Sequence, residues 1–312
     1  MRLHWIVAAT LVAALAGCSK GSEGEAPAGS GSTSMPVVYS VNYPLFYFAK
    51  RIGGDAFEVV FPTPAGVDPA YWKPGPEEVA AYQAADLILL NGAAYARWVP
   101  MVSLPASKLR STADGFQDRW IPLEHAVTHS HGPGGEHAHG DTAFTTWLDP
   151  TLAVQQAAAV RDALVELKPG ERARLDAAFE ALASDLGALD EALQAAVARA
   201  PQQPVVFSHP VYQYLERRYG IRGRSVHWEP DEAPEPPAWR DLEKMRASHP
   251  VGWMIWEGEP QGETLDRLAE LGIQSAVFDP CGSRPEDGDY LAVMRKNAEE
   301  LARVFGGGRI SE

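Results

Sequence analysis

The sequence predicts an α/β protein of two lobes, each a mainly parallel sheet flanked by helices, joined by a long helical connector. Two observations carry this expectation. Short apolar runs at residues 36–40, 57–61 and 86–92, and again at 204–209, 251–256 and 274–278, alternate with segments of helical pattern. Strand and helix alternating at that spacing imply parallel strands with helices on both faces. Between the two sets, residues 150–200 are dominated by Ala, Leu, Glu, Arg and Gln, all strong helix formers. The expected division is 36–149 for the first lobe, 150–200 for connecting helices and 201–312 for the second.

The chain starts with an export signal over residues 1–17. Arg2 forms a short basic region before the apolar run 5–16, which is too short for a stable membrane span. Leu15-Ala16-Gly17-Cys18 resembles a bacterial lipobox, with cleavage before Cys18 and lipidation of its thiol. The other reading is a secreted protein with an incidental cysteine. Residues 18–35, rich in Gly, Ser, Ala and Pro without periodicity, form a tether. The expected location is therefore extracytoplasmic, on a membrane anchor. With Cys18 lipidated, Cys281 has no partner for an intramolecular disulfide, since the chain has two cysteines.

Losing Arg2 with the signal leaves 26 Lys and Arg of the original 27, against 41 Asp and Glu, a formal charge of −15. That balance argues against nucleic acid or an anionic membrane surface as partner and suits a cation binder.

In the first lobe, residues 36–40 read as a buried strand and 43–54 as a helix with a glycine stop. Residues 57–61 are a second strand. The prolines and glycines of 65–76 exclude regular structure, 77–84 is a helix, and 86–92 is an apolar strand ending in a turn. Residues 125–141 then place His125, His129, His131, His137 and His139, five of the nine histidines, among glycine, proline and small polar residues. Neutral imidazole is the commonest ligand for zinc, copper and nickel, so this tract reads as metal contact.

The connector reads as a helix over 152–167, a stop at Lys168-Pro169-Gly170, and a second helix over 171–198, roughly 40 Å long at 1.5 Å per residue. Leu175, Phe179, Leu182, Leu186, Leu189 and Leu193 form its single apolar stripe. In the second lobe, strand 204–209 ends at His209, helix 210–219 follows, and 226–237 is an acidic, proline-rich loop with His227, Glu229 and Asp231 facing the expected cleft. Strand 251–256 ends at Glu257-Gly258-Glu259, helix 262–271 follows, strand 274–278 ends at Asp279, and 290–305 is the closing helix. Carboxyl ends of parallel strands are where α/β proteins bind ligands, which singles out His209 and Asp279. Cys281, two residues on, is either a thiolate ligand or a small buried residue in a turn. His249, before Pro250, reads as structural.

Several pieces in order resemble the metal-binding proteins of zinc and manganese ABC importers, the zinc-uptake type of cluster A-I. They are Tyr43-Pro44-Leu45, Phe48-Ala49-Lys50-Arg51-Ile52-Gly53-Gly54, Val67-Asp68-Pro69, Lys73-Pro74-Gly75-Pro76, Ala85-Asp86-Leu87 through Asn91-Gly92, and Trp147-Leu148-Asp149-Pro150 with the His-rich insert before it. The resemblance implies a rigid backbone helix between the lobes, and a metal site in the cleft with His209 and Asp279 as third and last ligands. It also implies that Glu259 matches a recurrent, mainly structural acid. The chain departs from the pattern at Ala70 and Thr145, where the family has its first two ligand histidines. A methyl group cannot ligate, and a neutral hydroxyl is a poor zinc ligand.

The implied function is capture of a divalent metal, Zn²⁺ first with Mn²⁺ or another divalent ion open, by a monomer that delivers it to an ABC permease. Two alternatives stand beside it. One is a metal-handling or sensing protein that binds only through the His-rich loop. The other is the same fold holding a metal chelate or small molecule against Tyr71, Trp72, Trp147 and Trp228. No Gly-x-Ser-x-Gly, phosphate loop or His-Glu-x-x-His is present, so no enzyme is expected.

Overall fold

A computed structural model describes residues 35–123, 128–130, 136–138 and 142–307. The signal, nearly all of the tether, and Cys18 lie outside the described residues, as do His125, His131 and His139. Ten strands and eight α-helices are present among the described residues, with several short 3₁₀ turns. In chain order these are β1 (Val37–Ser40), α1 (Tyr43–Gly53), β2 (Glu58–Val60), α2 (Pro76–Ala84), β3 (Leu87–Leu90), β4 (Leu109–Ser111), β5 (Thr128–Ser130), β6 (Glu136–Ala138), α3 (Pro150–Leu167) and α4 (Arg172–Val197). Then come β7 (Pro204–Phe207), α5 (Gln213–Tyr219), β8 (Arg222–Ser225), α6 (Pro236–Ser248), β9 (Trp253–Trp256), α7 (Gly262–Glu270), β10 (Gln274–Val277) and α8 (Tyr290–Phe305).

Two four-stranded, fully parallel sheets organise the chain, as the strand–helix alternation requires. The first runs β2-β1-β3-β4 and the second β10-β9-β7-β8. Numbered from its own first strand, each sheet has the order 2-1-3-4. In such an order the chain reverses its direction of winding between first and third strands, which is where a ligand crevice opens. The two switch points are therefore β1/β3 and β7/β9.

β4, β8 and α6 depart from the sequence reading, as do β5 and β6, which pair within the segment read as the His-rich loop. β4 is three residues long, and β8 is Arg-Gly-Arg-Ser. Both are edge strands, and edges carry charge to discourage further pairing, so neither shows an apolar run. Helix α6 begins with Pro236-Pro237, which reads as loop in the sequence. Proline is compatible with a first helical turn, whose N–H groups have no intrahelical acceptor.

Helix α4 packs against α1, α3 and α8 and so contacts the helical layers of both sheets. Leu175, Leu182, Leu186, Leu189 and Leu193 are buried along it, while Arg161 of α3 lies over the half-buried Phe179 ring. Asp185 of α4 meets Arg51 of α1 at 2.8 Å and Arg295 of α8 at 3.6 Å. These exposed pairs contribute little energy, on the order of 0–1 kcal/mol each. The buried leucine seam sets the packing. Helices α1, α3 and α8 start at side-chain caps from Asn42, Asp149 and Asp289 to the amides of Leu45, Thr151 and Ala292.

Candidate metal centre

The carboxyl ends of the second sheet carry four chemically active side chains, each leaving a different strand. His209 follows β7, Glu229 follows β8, Glu257 follows β9 and Asp279 follows β10. Backbone hydrogen bonds continue past the strands and hold these ends in register. Ser208 N–H donates to Ile255 O, Trp228 N–H to Ser208 O, and Phe278 N–H to Trp256 O, each at 2.8 Å. The ladder thus places His209, Glu257 and Asp279, while Glu229 stands on the loop after β8, one residue beyond the Trp228 bond.

His209 Nδ1 lies 3.2 Å from Glu229 Oε1 and 4.0 Å from Glu257 Oε1. Among the described residues these three form the one group whose ligand atoms all fall within 4.8 Å of one another. Around a single zinc with bonds of ~2.1 Å, tetrahedral donors stand roughly 3.4 Å apart. The trio is close to that spacing.

His209 is only 5% exposed. Burial opposes its protonation, but the Glu229 hydrogen bond and the charges of Glu257, Glu229 and Asp68 overcome it and raise its pKa. Burial pushes Glu257 up to about 7; His209 opposes the rise, and Glu229, Asp68 and Asp279 add to it. A site that crowds carboxylates around one imidazole at the cost of ionisation is suited to a cation that would neutralise them.

Asp279 lines the same cleft but stands outside the close trio. Its Oδ1 accepts from Cys281 N–H at 2.7 Å, and burial raises its pKa against the pull of that bond and of Lys296. Asn297 of α8 clamps its backbone from both sides, accepting from Asp279 N–H at 3.1 Å and donating to Asp279 O at 2.7 Å. Cys281 does not line the cleft. It is 1% exposed, and burial, then Asp279 and Asp289, push its thiol well above the ordinary range. Buried and outside the cleft lining, Cys281 has the surroundings of a small residue packed in a turn.

The cleft measures about 960 Å³. Its other wall comes from the first half of the chain: Asp68, Tyr71, Tyr95, Phe144, Thr145 and Trp147. At the two departures, Ala70 contributes a buried methyl, with its backbone N–H donating to Asp68 Oδ1 at 2.8 Å, and the Thr145 hydroxyl donates to Val211 O. Of the aromatics expected at the cleft, Tyr71 and Trp147 line it. Trp72 instead packs edge-on against Trp98 at 6.3 Å, and Trp228 is buried against Trp239 at 4.7 Å.

From the acidic loop, Glu229 and Asp231 line the cleft, while His227 sits edge-to-face with His209 at 5.6 Å. Glu259 is exposed and does not line it. Glu257, two residues earlier, does, and sequence reasoning missed its role. The available signal was position, since β9 is the neighbour of β7 at the switch point. His249 is structural as expected, its Nε2 3.0 Å from Val205 O. In the His-rich segment, His129 of β5 and His137 of β6 are register partners in an antiparallel pair, and their side chains lie outside the described residues.

Comparison with known proteins agrees with this architecture. The family model for the zinc-uptake complex component A, periplasmic, matches residues 37–304. The zinc-binding lipoprotein AdcA of Streptococcus pneumoniae serotype 4 is 25% identical over 273 residues, covering 84% of this chain and 54% of AdcA. The chain thus spans about half the length of that relative. The high-affinity zinc uptake system protein ZnuA of Bacillus subtilis is 24% identical over 281 residues, covering 85% of this chain and 86% of ZnuA. Among solved structures, the metal-dependent lipoprotein YcdH of Bacillus subtilis superposes with a TM-score of 0.74 at 21% identity, over 87% of this chain and 99% of YcdH. The Zn(II)-bound ZnuA-like domain of Streptococcus pneumoniae AdcA gives 0.73 at 22% identity, over 87% and 99%. At those identities the structural likeness shows the fold, and the family match extends over nearly the whole described chain. The chain belongs to the family of the periplasmic component A of zinc-uptake complexes, whose members are binding proteins and not enzymes.

Proposed function

We propose that this chain captures a divalent transition metal, zinc foremost, in its cleft and delivers it to an ABC permease. His209 and Glu257 are the principal ligands, Glu229 completes the trio, and Asp279 is within the same cleft to join or replace it. The observation that supports the reading is the convergence of His209, Glu229 and Glu257 from three strand ends onto one ion-sized space. One imidazole and two carboxylates make a donor set that zinc accepts with a further position left open. The same set also suits Mn²⁺. The zinc-binding names of the relatives weigh toward zinc.

In this reading the protein works as a monomer outside the cytoplasmic membrane. Cys18 carries the lipid anchor, and His125, His129, His131, His137 and His139 gather ions for capture. Residues 36–149 and 201–312 act as lobes on the connecting helices of 150–200. Isothermal titration of the purified chain tests the central claim. Zinc binding tighter than about 10 μM, roughly −7 kcal/mol, that is lost in His209→Ala supports it. Binding that survives His209→Ala but disappears when residues 125–139 are deleted places the metal on the loop and overturns it.

A further inference from the structure

We infer that Asp68 is the cation's ligand from the facing wall, so that a bare dication, once bound, ties the two sheets together across the cleft. This inference rests on the metal-capture reading and names how the ion is gripped. Its first support is an incomplete donor set. His209, Glu229 and Glu257 all stand beyond strands of the second sheet. One imidazole and two carboxylates leave a fourth zinc position to be filled from another direction. Among the described lining residues from the first half of the chain, Asp68 carries the one carboxylate. Its neighbours there are apolar, aromatic or hydroxyl-bearing, and the Thr145 hydroxyl donates to Val211 O. Neutral hydroxyls are poor zinc ligands beside a carboxylate.

The second support is position. Ala70, where the family has its first ligand histidine, shares a turn with Asp68. The N–H groups of Tyr71 and Trp72 donate to Asp68 O at 3.2 and 2.9 Å, and Ala70 N–H donates to Asp68 Oδ1 at 2.8 Å. That last bond takes one of roughly four lone-pair sites on the carboxylate. A turn that has lost its imidazole thus still presents a charged oxygen donor two residues earlier. The turn is also fastened to the segment that follows Asp279: Ser283 Oγ donates to Val67 O at 3.1 Å, and Tyr43 N–H donates to Gly282 O at 2.9 Å. Asp68 and Asp279 are therefore carried by segments hydrogen-bonded to each other.

The third support is electrostatic. Asp68 stands outside the close trio, yet its charge acts on both His209 and Glu257. Six carboxylates line the cleft, from Asp68, Glu229, Asp231, Glu257, Asp279 and Glu286. The attraction of that field grows with the charge of the cargo, so it favours a bare dication. Gly66, two residues before Asp68, has φ of 74° and open space where a side chain would stand, which gives the turn room to follow the ion inward.

The experiment uses the full chain, with zinc in titration calorimetry and Co²⁺ in absorption spectroscopy. Asp68→Asn keeps the size and the oxygen that accepts from Ala70 N–H, and Asp231→Asn removes an equal charge from the same cleft. Asp68→Asn is expected to weaken zinc by roughly tenfold or more and Asp231→Asn by less than about threefold, with the metal-free unfolding midpoint unchanged in both. Asp68→Cys loaded with Co²⁺ is expected to gain a thiolate-to-cobalt charge-transfer band that the parent lacks, a signature of direct ligation that loss of charge cannot produce. Equal losses in the two Asn variants, or a cobalt spectrum of Asp68→Cys unchanged from the parent's, would overturn the inference while metal capture stands. If the parent binds no zinc, both fail.

Discussion

Glu216 gives the most direct test of the forces in the second sheet. It lies on α5, and its carboxylate is close to β8: a Cβ placed on Gly223 would be 2.4 Å from Glu216 Oε2. Burial alone raises its pKa from 4.5 to about 7, with no compensating cation or hydrogen bond contributing. Between those two values the folded chain keeps a proton that the unfolded chain releases. Stability therefore falls as pH rises through this window, by ~1.4 kcal/mol per pH unit, and is lowered by roughly 3 kcal/mol once pH exceeds 7. Glu216→Gln keeps the size and the neutral form and removes the titration. The variant is expected to match the parent at pH 4.5 and to exceed it by ~2–3 kcal/mol at pH 8, the lower bound reflecting its partial contact with solvent. Urea unfolding at half-unit steps from pH 4.5 to 8.5 reads the difference between the two proteins. Taking that difference cancels Glu257, which shifts in the same direction in both. A gap that does not change with pH would refute the argument, because a packing effect is constant and a titration is not.

Four further outcomes follow from the same geometry. Glu257→Gln is expected to weaken zinc at least a hundredfold, ~2.7 kcal/mol, while leaving the unfolding midpoint of the metal-free chain unchanged or higher, read by calorimetry and urea unfolding. Zinc affinity should fall with acidification below about pH 7, approaching tenfold per unit, because Glu257, raised to about 7, must lose its proton to bind; titrations at pH 6, 7 and 8 check this. Gly223→Ala places a methyl 2.3 Å from Phe207 Cε2 as well as against Glu216, and should cost ~2–3 kcal/mol in urea unfolding. Asn297→Ala removes both hydrogen bonds that clamp the Asp279 backbone, so it should destabilise the fold by ~1–3 kcal/mol and weaken zinc more than Asn297→Asp, which keeps the acceptor for Asp279 N–H.

The sequence made the architecture legible where apolar patterning controls it. The runs around Leu87–Leu90 and Trp253–Trp256 and the leucine stripe of α4 locate themselves because each must be buried. β8 and α6 were not legible for an opposite reason. An edge strand made of Arg222, Gly223, Arg224 and Ser225 is polar by necessity, and a helix that opens on two prolines carries the signature of a loop until its third residue. The site divided in the same way. His209 and Asp279 were legible as strand-end residues, whereas Cys281 adjoins Asp279 in sequence and turns away from the cleft. It has φ of 56° and packs its thiol out of solvent, a backbone choice that side-chain chemistry does not reveal.

Glu257 shows what a topological argument adds to a motif argument. Both sheets share the order 2-1-3-4, so each has a crevice between its first and third strands. In the first sheet the residues at those ends are Asn42 and Asn91, and they satisfy each other: Asn42 Nδ2 donates to Asn91 Oδ1 at 3.1 Å, and Gln156 of α3 donates to the same oxygen at 3.1 Å. That crevice is closed by neutral amides and serves packing. In the second sheet the equivalent ends carry His209 and Glu257, 4.0 Å apart and unable to neutralise the surrounding acids by themselves. The same topology thus yields a structural knot on one side and a charged site on the other, and the difference lies in which residues terminate two strands. Exchanging Glu257 for Asn would test that distinction. If strand-end chemistry decides, zinc binding disappears and the fold remains; if zinc stays bound, the metal is held elsewhere and the switch-point argument fails.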